Sequence, residues 1–141
     1  MSEQILLPYD GSTPSEKALE YALETFPDAD LTALYVVPAP RGYWGAFEEA
    51  EDRIPNAEKA KERGHELLDD AEAMAADQDR DLETELIVGE PEHVIVGQAS
   101  DGEYDTIVIG SHGREGVSRV LLGSVAEKVV RRSPTPVVVV R

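Results

Sequence analysis

The segment 110–124 carries four glycines, Gly110, Gly113, Gly116 and Gly123, set among Ser111, His112, Arg114, Arg119 and Ser124. Glycine at the end of a strand permits positive φ and lets backbone approach a ligand with no Cβ in the way. Successive free N–H groups in such a turn form a concave anion site. Gly123-Ser124-Val125 then opens a helix-like run, whose first N–H groups lack intrahelical partners and sit at the positive end of the helix dipole. The chemistry offered is anion binding, and phosphate is the natural occupant. Simpler roles stay open for the single residues. Ser124-x-x-Glu127 also reads as a capping box, Asp10 could do no more than close the Gly11-Ser12 turn, and His112 could be an ordinary loop residue. His65 and His93 fall in helical patterns with no nucleophile beside them, and no catalytic residue is assigned.

Charge supports the same end of the chain. Thirteen basic residues face 29 acidic ones, a net −16. Residues 106–141 nevertheless carry six basic side chains against Glu115 and Glu127, a local +4. Repulsion from the distant carboxylates is screened over about 10 Å at 0.1 M salt, whereas direct hydrogen bonds to a charged acceptor, about 1.5–3 kcal/mol each, survive. An anion is therefore expected to bind by contact in the last quarter of the chain.

The elements that must position this segment follow from hydrophobic pattern. Ile5-Leu6-Leu7 reads as a buried strand that delivers Pro8-Tyr9-Asp10-Gly11-Ser12 to a loop. Thr13 as N-cap, Pro14 and Glu16 predict a helix start, followed by an apolar face at Ala18, Leu19, Ala22, Leu23 and Phe26. Further strands are predicted at Leu31–Val37, at Leu82–Val88 as a half-solvated edge, at Thr106–Ile109 and at Pro136–Val140. Helices are predicted at about Asn56–Asp77, from Pro91 through Ala99, and at Ser124–Arg132. Strands alternating with helices predict an α/β fold, one three-layer domain over residues 1–141 with a five-stranded parallel sheet and right-handed crossovers. Residues 38–55, with Tyr43, Trp44 and Phe47, form a long connection that could be a lid, a dimer contact or packed-down surface.

Composition excludes several classes. The absence of cysteine removes disulfides and thiolate chemistry, the acidic balance opposes a basic nucleic-acid surface, and no apolar run reaches the 18 residues of a membrane span. A cytoplasmic protein is expected, and the acidic excess resembles proteins of a salty cytoplasm. The G-x-x-x-x-G-K-[ST] pattern is absent. A phosphoacceptor domain fails on residues, since strand one offers Asp10 alone and strand three ends in Gly89.

Gly110-x-x-Gly113-x9-Gly123-Ser124, placed after Ile107-Val108-Ile109 and before Pro136 to Val140, resembles the nucleotide-binding signature of the universal stress protein family. The likeness runs the whole chain, including Leu7-Pro8-Tyr9-Asp10-Gly11-Ser12. It implies a Rossmann-like sheet of order 3-2-1-4-5 and, in the family's ATP-binding branch, adenine contacted at Pro8, Asp10 and Val36. The phosphates would be carried by Gly110, His112, Gly113, Arg114, Gly123, Ser124 and Val125, with Mg²⁺ or Mn²⁺ bridging them and no protein ligand assigned to the metal. A nucleotide-dependent stress sensor or regulator is implied, with at most slow ATP hydrolysis or self-phosphorylation. The alternative is a dimeric interaction module with a vestigial nucleotide site. Val137 to Val140 on an edge strand would leave backbone groups unpaired, so a homodimer through that strand is expected.

Overall fold

A computed structural model describes residues 2–38, 57–111 and 122–141. The elements in chain order are β1 (Gln4–Pro8), α1 (Thr13–Thr25), β2 (Asp30–Pro38), α2 (Ala57–Ala76), β3 (Leu82–Gly89), α3 (Pro91–Asp101), β4 (Thr106–Gly110), α4 (Ser124–Arg132) and β5 (Val137–Val140). The strands form one parallel sheet of order β3-β2-β1-β4-β5. This is the architecture that the alternation of apolar strands and amphipathic helices predicts.

Strand side chains alternate between the two faces, and the core divides accordingly. Ile5, Leu7, Ala33 and Val108 pack beneath Leu19 and Ala22 of α1 and Leu68, Ala71 and Ala75 of α2. Leu6, Leu34, Ile107 and Ile109 pack beneath Ile95 and Ala99 of α3 and Ala126 and Val129 of α4. β1 is central and nearly closed to solvent, with Ile5, Leu6 and Leu7 all at 0% exposure, so an unbroken apolar triplet is what its position demands. β3 is an edge, as expected: Glu83 is exposed, though Glu85, also expected to face outward, is half-buried, while Leu82, Leu86 and Val88 pack toward α1 and α2. Strand alternation would point Thr84 inward with these residues. It shares their parity but is exposed, its hydroxyl 3.5 Å from Glu72 of α2.

The start of α1 differs from the sequence expectation by one residue. Ser12, not Thr13, is the N-cap: at φ −71° and ψ 159° its hydroxyl accepts from the Ser15 N–H, and Thr13 is already helical. The turn before it explains the shift. Asp10 Oδ1 accepts the Ser12 N–H at 2.9 Å, and Gly11 adopts φ +78°, so the chain reaches helical geometry directly after Ser12. A Cβ at Gly11 would collide with Leu67 of α2. At the other end of α1, Arg80 Nη1 donates to Leu23 O at 2.8 Å, and Nη2 to Phe26 O and Ala29 O at 3.1 and 3.0 Å. A guanidinium thus satisfies carbonyls that a helix end leaves open.

Candidate anion site at the carboxyl edge of the sheet

In an open parallel sheet the ligand crevice forms where strand order reverses, outside the carboxyl ends of the strands. Here that place lies between β1 and β4. The β1–β2 register continues to Pro8↔Leu34 and the β4–β5 register to Gly110↔Val140. The β1–β4 register covers only Ile5↔Thr106 and Leu6↔Ile107. Beyond Leu6 the two central strands part, each still bound to its outer neighbour.

The topology brings Pro8 of β1 and Asp10 in the turn after it, Val36 from β2, Gly110 from β4, and Gly123, Ser124 and Val125 at the start of α4 to this one edge of the sheet. His112, Gly113 and Arg114, and residues 39–55 with Tyr43, Trp44 and Phe47, lie outside the described residues. On the two sides of 112–121 the chain is tied together: Gly123 N–H donates to Ser111 O at 2.7 Å, and Ser111 N–H donates to Val140 O at 2.8 Å.

The capping box left open as a simpler role for Ser124 and Glu127 does not form. Gly123 is the N-cap, at φ −66° and ψ 160°, and has no side chain with which to accept. Ser124 is the first helical residue, while Glu127 turns away and pairs with Arg131 at 3.0 Å. The first helical bond runs from Glu127 N–H to Gly123 O. Among the described residues, nothing accepts from the N–H groups of Ser124, Val125 or Ala126. Three donors therefore stand together at the positive end of a helix dipole, where an anion is favoured by about 0.3–1 kcal/mol when exposed and more when partly buried.

Asp10 does perform the turn role foreseen for it, through Oδ1. Its Oδ2 accepts no bond among the described residues. Gly110 carries a packing demand of its own: a Cβ there would stand 2.7 Å from the carbonyl carbon of Pro14. Its small size holds α1 against β4 whatever else it does.

Sequence reasoning missed a charged cluster between α3 and α4. Glu92 is 5% exposed, and its Oε1 lies 3.3 Å from Lys128 Nζ. Glu90 Oε1 faces His93 Nε2 at 3.7 Å, and Glu90 Oε2 is buried without a partner among the described residues. One oxygen each of Glu90 and Glu92 and a nitrogen of His93 lie within 4.8 Å of one another, with Lys128 already supplying a cation. The only signal in the sequence was an acidic residue after Pro91 in a first helical turn. Burial pushes the Glu92 carboxyl up, but its own backbone N–H, Glu90 and Lys128 together pull it below the ordinary 4.5. A depressed carboxyl stabilises the fold above its unfolded pKa and loses that contribution as pH falls through the folded one. Glu92→Gln is accordingly expected to cost about 1 kcal/mol at pH 7 and to flatten the loss of stability expected of the native chain as pH falls below the ordinary carboxyl range, measured by urea unfolding across pH.

Comparison with known proteins decides the family. The Universal stress protein family model matches residues 1–141. The chain belongs to the universal stress protein family. It is 36% identical over 141 residues to universal stress protein MJ0531 of Methanocaldococcus jannaschii, covering 99% of this chain and 82% of that one. It is 33% identical to universal stress protein YxiE of Bacillus subtilis, with full coverage of both. Among solved structures it is similar to MJ0577 of M. jannaschii, with a TM-score of 0.80, 31% identity and coverage of 99% and 96%. It is also similar to a universal stress protein solved in complex with cAMP, with a TM-score of 0.58, 27% identity and coverage of 99% and 96%. These likenesses agree with the strand order, and no helix among the described residues is long and apolar enough to cross a membrane.

Proposed function

We propose that this universal stress protein belongs to the ATP-binding branch of its family and acts as a cytoplasmic stress-response sensor or regulator through occupancy of the crevice between β1 and β4. The observation that carries the reading is the set of three N–H groups opening α4 beside the parted strands, none of them with an acceptor among the described residues. Phosphate is the ligand such a set suits best, and the cAMP-bound relative supports an adenine nucleotide. Asp10 Oδ2 would accept from the base near Pro8 and Val36. The amides of Ser124 and Val125, with Gly110, His112, Gly113, Arg114 and Gly123, would hold the phosphates, and Mg²⁺ or Mn²⁺ would bridge them. Titration calorimetry with ATP and Mg²⁺ tests it: saturable heat at one site per chain is expected, and Gly113→Val is expected to remove it. No heat from the native chain would leave the interaction-module reading in its place.

Dimerisation is the second part of the proposal. Among the described residues β5 pairs only with β4, nothing among them pairs with its other backbone edge, and all of Val137–Val140 are half-buried. A second copy adding through this edge would cover both. Sedimentation at micromolar concentration is expected to return twice the mass of one chain, and a single-chain mass would remove this part of the reading.

A further inference from the structure

The chain contains no cysteine and two methionines, Met1 and Met74, so Met74 is its only internal sulfur. Met74 lies near the end of α2, half-buried against the core. Tyr9, at the exit of β1, is 3% exposed, and its hydroxyl donates to Met74 Sδ at 3.9 Å, the one bond it makes among the described residues. A thioether is a weak acceptor, so a strong buried donor is held by a poor partner. The phenol is pushed up to about 12, by burial first and then by Glu16, Asp70 and Asp10. It therefore keeps its proton and only donates.

We propose that Met74 is a site of reversible sulfoxidation whose sulfoxide oxygen is received by the Tyr9 hydroxyl. A peroxide supplies the oxygen: its O–O bond breaks, an S–O bond forms on a sulfur lone pair, sulfur loses two electrons, and hydrogen peroxide leaves as water. The product is a far stronger acceptor than the thioether. An oxygen carried by sulfur within the 3.9 Å gap can reach the roughly 2.7–2.8 Å that an O–H···O bond prefers. The three rotatable bonds of methionine let either lone pair turn toward Tyr9. Elsewhere in a core a sulfoxide is a buried polar group without a partner; here the partner is already in place. Methionine sulfoxide reductases restore the thioether. Tyr9 stands between Pro8 and Asp10, so oxidation would fasten the end of α2 to the strand that floors the crevice.

The test treats the purified full chain, Tyr9→Phe and Met74→Leu with dilute hydrogen peroxide, maps the added oxygen by peptide mass spectrometry, and compares each thermal midpoint with that of its own reduced form. One oxygen on Met74 of the folded native chain is expected, with little change in midpoint. Oxidised Tyr9→Phe should fall by roughly 3–8 °C, and Met74→Leu should not respond. Equal falls in the native chain and Tyr9→Phe would overturn the proposal, as would oxygen found on Met1 and none on Met74. Met74→Gln gives a reading free of peroxide, since its amide oxygen offers Tyr9 a neutral acceptor. A midpoint within about 3 °C of the native one is expected, and a loss twice that size would also overturn the proposal.

Discussion

Ser124→Pro is expected to fold as stably as the native chain and to bind ATP at least about tenfold more weakly. Proline is favoured at the first helical position, where its missing N–H costs the helix nothing. Gly123, at ψ 160°, already holds the extended conformation required before proline. Ser124 is exposed, so no packing is lost. The substitution instead removes one of the three amide donors that lack an acceptor among the described residues, together with a hydroxyl. Hydrogen bonds to a charged acceptor contribute about 1.5–3 kcal/mol each, and each 1.4 kcal/mol is a factor of about ten in affinity. Ser124→Ala keeps the amide and loses only the hydroxyl, so the ratio of the two variants in calorimetry isolates the backbone donor. Equal affinity for Ser124→Pro and the native chain would place the phosphate elsewhere.

Gly110→Ala is expected to lower the free energy of unfolding by about 1–3 kcal/mol, the usual cost of overpacking a filled interior. The new Cβ would lie 2.7 Å from Pro14 C and 2.9 Å from both Pro14 Cβ and Pro14 O. Backbone in the first turn of a helix cannot swing aside as a side chain can. Shifting it strains the Ser12 cap and the Asp10 turn, which approach the crevice from the β1 side. Gly97→Ala is the contrasting case. Nothing lies within 4 Å of a Cβ there, and the position is interior to α3. It should therefore gain about 0.5–1 kcal/mol from helix propensity. Urea unfolding of the two variants is expected to move in opposite directions.

The fold was legible because each element announced itself locally. Ile5-Leu6-Leu7, Ala33–Val37 and Ile107–Ile109 are apolar without alternation, the mark of strands buried on both faces, and Pro14, Pro91 and Gly123 punctuate the helix starts. The errors occurred where two residues compete for one role. Thr13 and Ser12 can both cap, and the Asp10 bond to the Ser12 amide decides between them. Ser124 and Glu127 match a capping box in spacing, but Arg131 one turn on takes the glutamate. At the candidate site, the placing of Gly110, Gly123, Ser124 and Asp10 at this edge of the sheet was legible, because strand ends and helix starts are set by neighbours in the chain. Burial of Glu92 beneath Lys128 and the contact of Tyr9 with Met74 join residues 36 and 65 positions apart. No local pattern encodes such pairs.

Ser111 sits at a junction of three elements. Its carbonyl receives the amide that leads into α4, and its own amide is given to the last residue of β5. Two short bonds thus join the outermost strand to the mouth of the helix, and a displacement of one would be felt by the other. Association along that strand and loading of the helix mouth would then bias one another equally, as reciprocal linkage requires.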